Sequence, residues 1–284
     1  VTRYLVTGAT GQLGHELVRL GGAAALGLGR GDLDVTDQGA VAAVLDRYTP
    51  DVVINAAAYT AVDAAETDEA AARAGNVTGP AVLAAATAAR GVGLVHVSTD
   101  YVFAGDATVP YPEDAPTDPR SVYGATKRDG ELAVLAVHPG AYIVRTAWVY
   151  GAHGPNFVKT MLQLQAERET VSVVDDQTGS PTWAAELAAA LLTLAAADAA
   201  PGVYHYTNAG QTTWYGLARA VFAAVGADPD RVLPTTTENF PRPAPRPAYS
   251  VLGRARWAAA GLPEPTAWDQ ALVRALADEP EAWR

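Results

Sequence analysis

Cysteine is absent from this 284-residue chain and lysine nearly so, with only Lys127 and Lys159 against eighteen arginines. The first absence excludes disulfides and thiolate metal sites. Histidine is scarce, five residues without metal-ligand spacing, so no histidine-based metal site is expected. Positive charge is in deficit: 20 lysines and arginines face 31 acidic residues, for a formal net charge of -11. Such a chain lacks the basic face that nucleic acid or an anionic membrane requires. A phosphate-bearing ligand must therefore be held by local devices, such as helix N-termini and single arginines. Long hydrophobic runs are missing too. The stretch 184–200 is apolar, but it is rich in alanine and interrupted by Glu186 and Asp198, so it reads as a buried helix rather than a membrane span. The opening RYLVTGATG runs directly into a strand and a glycine turn with no signal-peptide pattern, and the expected location is cytoplasmic.

What is present is alternation. Short apolar runs at 4–7, 24–29, 51–55, 93–99 and 141–146 read as strands, with helical patterns near 12–22, 37–48, 65–90 and 122–137 between them. The runs are apolar throughout, as in a parallel sheet covered on both faces. The expected fold class is α/β, a Rossmann-type doubly wound parallel sheet with a smaller C-terminal α/β substrate lobe. Residues 1–146 form the dinucleotide-binding domain and 147–284 mainly the substrate lobe, with about 171–197 returning to the first domain. Further helices are expected near 156–168, from Trp183, from Trp214 and near 266–278, with strands near 171–174 and at GVYHY. The proline-rich 234–252 should be extended and ordered by contact. The final DEPEAWR is expected to fray.

TGATGQLG places Gly8, Gly11 and Gly14 between the first strand and a helix. The first permits a tight turn, the second lets backbone approach a pyrophosphate, and the third allows close helix–strand packing. The second strand ends near Arg30, with Asp32 and Asp34 following. An arginine there suits a 2′-phosphate and an acid suits a ribose hydroxyl, so NADPH is preferred and NADH remains open. NAAAYTAVD after the third strand offers small residues against which a flat adenosine could lie, or tight helix–sheet packing.

Tyr123 and Lys127 share a helix face at i and i+4. A nearby ammonium favours phenolate, and Lys127 is expected to lower the Tyr123 pKa for acid–base work. Ser98 and Thr99 end the fourth strand, where open α/β sheets place ligands; Thr99 could hold a substrate oxygen against Tyr123.

TGATGQLG, NAAAYTAVDAAE, VSTDYVFAGD, YGATKRDGE, RTAWVYG, NFVKTML, DDQTGSPT and PRPAPRPAYSVL, in that order, resemble the extended short-chain dehydrogenases/reductases and, within them, the dTDP-4-dehydrorhamnose reductase family. The resemblance implies reduction of the C4 ketone of dTDP-4-dehydro-β-L-rhamnose to dTDP-L-rhamnose by NADPH or NADH. It makes Tyr123 the general acid, Lys127 the residue that tunes it and binds the nicotinamide ribose, and Thr99 the partner of the keto oxygen. The dinucleotide would be bound by Gly8, Gly11, Gln12, Leu13, Gly14, Arg30, Asp34, Val35, Ala57, Ala58, Tyr59, Thr60, Val97, Tyr123 and Lys127. The sugar nucleotide would meet Thr99, Asp100, Tyr123, Trp148, Asn156, Arg242 and Arg246. Trp148 could also be a packing tryptophan, and either arginine a solvated charge. Glu16 and Glu186 match positions where family members hold Mg²⁺ at a subunit contact, and apolar helices permit a homodimer. Two other readings stay open: a reductase of a related dTDP-hexulose, such as a dihydrostreptose synthase, and the NADP-binding regulatory subunit of methionine adenosyltransferase. The absence of glutamate after Thr99-Asp100 argues against a 4,6-dehydratase.

Overall fold

The structure, a computed structural model, describes residues 2–283. Six parallel strands form the central sheet: β1 Tyr4–Thr7, β2 Ala25–Leu28, β3 Val52–Asn55, β4 Gly93–Thr99, β5 Tyr142–Thr146 and β6 Gly202–His205. Their spatial order is β6-β5-β4-β3-β1-β2. The chain turns one way from β1 to β2 and the other way from β3 onward, so a crevice opens beyond the carboxyl ends of β1 and β3. There Thr7 and Asn55 are register partners, and the Thr7 hydroxyl donates to Asn55 Oδ1 at 2.7 Å.

Eight longer helices are α1 Gln12–Gly21, α2 Gln38–Tyr48, α3 Gly79–Ala88, α4 Val122–Val137, α5 Phe157–Glu167, α6 Ala184–Ala196, α7 Trp214–Ala224 and α8 Trp268–Asp278. One sheet face is covered by α1 and α6, whose Leu13, Leu17, Leu187 and Leu191 pack with Val6 and Ile54. The other is covered by α2, α3 and α4, through Val41, Leu45, Leu83 and Val134 over Leu5, Val53 and Ile143. The alanine-rich segment is thus a helix of the sheet's cover, while Val171–Val174 stays apart and pairs in parallel with Val232–Thr235. Val158, Met161, Val171, Leu217, Phe222 and Leu272 form the separate core of the second lobe.

The helix expected over 65–90 divides. A short turn, Val62–Ala65, ends before Asp68, whose carboxylate caps the next run by accepting from Ala71 N. That run widens into a π turn over Ala74–Thr78 before α3. Pro80 at the start of α3 has no N–H to give to the turn before it. The C-terminal residues do not fray. Trp283 is 6% exposed, packs in the second core and donates Nε1–H to Ala275 O at 2.9 Å, while Arg284 lies outside the described residues. Among the described residues no helix is long and apolar enough to cross a membrane.

Candidate active site

The glycine turn is built as its spacing requires. Gly8 has φ +71, and a Cβ there would lie 2.6 Å from Ala57 N, so the turn rests on the backbone after β3. A Cβ on Gly14 would lie 2.1 Å from Gly8 O, which seals α1 against the turn. Gly11 is the N-cap of α1, with no side-chain cap and no acidic residue in the first turn, leaving N–H groups and the positive end of the helix dipole for an anion. Leu13 is buried beneath the turn. Asn55 Oδ1 accepts from Ala57 N at 3.1 Å, and Asn76 grips the Tyr59 backbone, Oδ1 accepting from its N–H and Nδ2 donating to its carbonyl. The small residues Ala57 and Ala58 are therefore held in place on a polar frame, with Tyr59 half-buried and Thr60 exposed. Arg30 and Asp34 are exposed beyond β2; Asp34 is held below the usual carboxylate range by Thr36 N–H and hydroxyl, with Arg30 contributing. Val35 lies against Gly79, where a Cβ would come 2.6 Å from its Cγ2. This cradle fits a dinucleotide.

The helix α4 is seated through close backbone contacts. Ser121 Oγ caps α4 by accepting from Gly124 N at 3.1 Å, and Glu66 Oε1 accepts from Val122 N at 2.9 Å. Two glycines inside α4 cost about 1 kcal/mol each relative to alanine. What they permit is backbone contact: a Cβ on Gly124 would lie 2.2 Å from Tyr101 O, and one on Gly130 2.0 Å from Asn76 O. A buried bidentate pair from Arg145 on β5 to Glu131 on α4, at 2.9 and 2.7 Å, fixes the helix along the sheet.

The helix so placed brings Tyr123 and Lys127 to the end of β4, facing Thr99. Lys127 is 2% exposed and donates Nζ–H to Val97 O at 2.7 Å, leaving two further N–H donors. Burial lowers it to about 8, with the Glu131 charge opposing. The expected lowering of Tyr123 is not found. Burial pushes its hydroxyl up to about 12, Thr99 opposes through a contact short of an ideal hydrogen bond, and the Asp100 charge adds to the rise. The Lys127 ammonium is turned to the strand and is not among the groups that set this pKa. The phenol consequently keeps its proton at neutral pH, the form a proton donor needs. Tyr101 stands edge-on to it, ring centroids 5.5 Å apart.

Across the cleft, Trp148 has φ +49, strained for a bulky residue. Its indole stacks on Trp214 at 3.6 Å, and a Cβ on Gly179 would come within 2.5 Å of the ring. Asn156 caps α5 and donates to Gln12 Oε1 at 3.1 Å and Gly151 O at 2.8 Å, while Gln12 Nε2 donates to Pro155 O. Its amide thus clasps the second lobe to the glycine turn. Arg246 donates to Asp63 Oδ2 at 2.9 Å, and that carboxylate also accepts from Ala244 N. Arg242 lies exposed over the Phe240 ring. A cavity of about 60 Å³ beside Tyr101 and Ser121 includes Arg246. A larger groove of about 630 Å³, among Leu162, Val225, Leu276 and Trp283, contains none of these site residues.

Sequence reasoning does not single out Asp63 and Glu66, though both stand in NAAAYTAVDAAE; their partners are 183 and 56 positions away. The expected Mg²⁺ pair is not supported. Glu16 is held by Arg19 at 2.7 Å and groups with His153 and Glu279, whereas Glu186 accepts from Asn208 and Arg274.

A doubly wound parallel sheet, a glycine cradle and a Thr–Tyr–Lys set at the strand ends define an oxidoreductase of the extended short-chain dehydrogenase/reductase type. The family model described as RmlD substrate binding domain matches residues 2–280. A dTDP-4-dehydrorhamnose reductase of Streptomyces griseus is 55% identical, covering 96% of this chain and 93% of the relative. A dTDP-4-keto-6-deoxy-D-glucose reductase of Streptomyces niveus is 47% identical, with 96% of each covered. The solved dTDP-4-dehydrorhamnose reductase of Bacillus anthracis in complex with NADP superposes with a TM-score of 0.94 at 37% identity, over 98% of this chain and 99% of that one. The chain belongs to the dTDP-4-dehydrorhamnose reductase family.

Proposed function

We propose that the protein binds NADPH or NADH and reduces the C4 ketone of dTDP-4-dehydro-β-L-rhamnose to dTDP-L-rhamnose. The observation that carries this reading is the convergence of Thr99, Tyr123 and Lys127 beside the glycine cradle. When bound, the reduced nicotinamide supplies the hydride. Gly8, Gly11, Gln12, Leu13 and Gly14 hold the pyrophosphate, Ala57 to Thr60 the adenosine side, and the free Lys127 donors the ribose, with Val97 forming the floor. Arg30 meets a 2′-phosphate and Asp34 and Val35 flank the adenine end.

Tyr123, kept protonated by its surroundings, donates its O–H proton to the oxygen of the former ketone. Thr99 orients that oxygen, and hydrogen bonds that strengthen as charge develops there lower the barrier. Trp148, packed against Trp214 and Gly179, borders the hexose. Arg246, oriented by Asp63, and Arg242 meet the nucleotide phosphates; Asn156 closes the second lobe over them.

Incubation of the purified protein with dTDP-4-dehydrorhamnose and each reduced dinucleotide, with identification of the sugar formed, tests the reading. Formation of dTDP-L-rhamnose is expected, and no turnover overturns it. Loss of the NADPH preference in Arg30→Ala is expected; an unchanged NADPH/NADH ratio rejects the role of Arg30. The Streptomyces niveus relative favours one second reading, a sibling dTDP-4-keto sugar as substrate, and a side-by-side assay of the two ketones decides. Light scattering in solution tests the homodimer.

A further inference from the structure

Asp100 adjoins Thr99 and, like Lys127, is 2% exposed. Its Oδ1 accepts from the Thr99 hydroxyl at 2.9 Å, while Oδ2 and the nearby Ser250 Oγ lack partners of good geometry. The groups acting on this carboxyl are the hydroxyls of Ser250 and Thr99 and the backbone of Asp100 and Tyr101; no lysine or arginine is among them. A buried acid without a cation is held toward its neutral form, and burial raises this one to about 6.

Thr99 has one proton and two lone pairs to distribute. Tyr101 N donates to its Oγ1 at 3.2 Å, and Tyr123 faces the same oxygen. When Asp100 is a carboxylate, the Thr99 proton is committed to it, and the hydroxyl can only accept from the phenol. When Asp100 carries a proton, it donates to Thr99, both lone pairs are filled, and the Thr99 proton turns toward Tyr123 and the ligand oxygen. The geometry points to Asp100 as a positioning residue that switches the Thr99 hydroxyl between acceptor and donor. The acid form serves ketone reduction, which needs two donors at the developing oxyanion; the carboxylate form serves alcohol oxidation. This rests on the reductase reading.

Titratable neighbours are Tyr123 on α4 and Tyr101 on the turn, both raised by burial and by the Asp100 charge. Behind Tyr101 stand Arg246 and Asp63, paired with each other. Neither tyrosine titrates below pH 9, and Lys127, on the same helix face as Tyr123, does so near 8.

The test is the kcat of ketone reduction from pH 5 to 7.5, below the range in which Lys127 loses its proton. In the wild type it should fall toward tenfold per pH unit above the Asp100 pKa. Asp100→Asn, whose amide N–H donates to Thr99 at every pH, should be flat within about twofold. A wild-type profile without this limb, or one retained in Asp100→Asn, overturns the proposal. If Asp100→Asn does not fold, Thr99→Val decides: loss of the limb supports the switch and its retention overturns it. An infrared titration of the protonated carboxyl band reads Asp100 without turnover. The band should titrate near pH 6 and shift upward in Thr99→Val; titration near 4, unmoved by that substitution, overturns the proposal. Wild type that reduces neither ketone would defeat the reductase reading alone, with the infrared result still deciding the switch.

Discussion

On the dinucleotide side of the cleft, the surface is made largely of backbone and absent side chains: Gly8 against Ala57, Gly14 against Gly8, alanines after β3. Across the cleft the contacts are long side chains that reach distant partners, Gln12 to Pro155 and Asn156, Arg246 to Asp63. Backbone cradles tolerate almost no substitution, because the atoms that would have to move are main chain. Side-chain clasps can be loosened one hydrogen bond at a time. The cradle should therefore fail abruptly under mutation and the clasps in steps.

The proposed proton donor at the seam gives the largest expected effect. Tyr123→Phe should lower kcat by about 10²–10⁴ with dinucleotide affinity nearly unchanged, measured by steady-state assay and fluorescence titration. Near-normal reduction at neutral pH would remove Tyr123 from the seam. Gly14→Ala forces a methyl group onto Gly8 O, and overpacking of this kind costs about 1–3 kcal/mol, so both the denaturation midpoint and dinucleotide binding should fall. A Gly14→Ala protein that binds dinucleotide normally would show the cradle to be softer than the clasp.

Lys127 sharpens the comparison through pH. An unfolded lysine titrates near 10.4, and the folded one near 8. Between these values the unfolded chain binds more protons, so stability should rise with pH, by up to about 1.4 kcal/mol per unit. The penalty is fully present below pH 8 and is relieved above it, until unfolded tyrosines begin to ionise near 10. Urea denaturation at pH 8 to 10 should show this slope in the wild type and not in Lys127→Met; equal slopes would mean the ammonium is better solvated than its burial implies. The smallest effect belongs to the clasp. Asn156→Ala loses a helix cap worth about 1 kcal/mol, and a double-mutant cycle with Gln12→Ala should add a coupling of about 0.5–1 kcal/mol. Zero coupling would separate the lobes energetically.

The same division governs what could be read from the chain. The strands, the glycine spacing and the Tyr123–Lys127 pair are local patterns, and each appears where its period or spacing implies. The π turn over Ala74–Thr78 was not legible, because it depends on Asn76 finding Tyr59 and Thr126 across the fold. The pKa of Tyr123 was not legible either: spacing places a lysine nearby, but only the fold turns its ammonium to Val97 O and leaves burial to govern the phenol. The role of Glu186 went astray for a related reason, since its position on a helix says nothing of Asn208 and Arg274 waiting beside it.

The pair of Asp63 and Arg246 spans 183 positions. A chain emerging from the ribosome N-terminal end first can build strands β1 to β5, with the glycine turn and α4, before that arginine is synthesised. The Asp63 carboxylate then waits for its guanidinium, and the contact that ties the proline-rich segment to the residues after β3 is among the last to close.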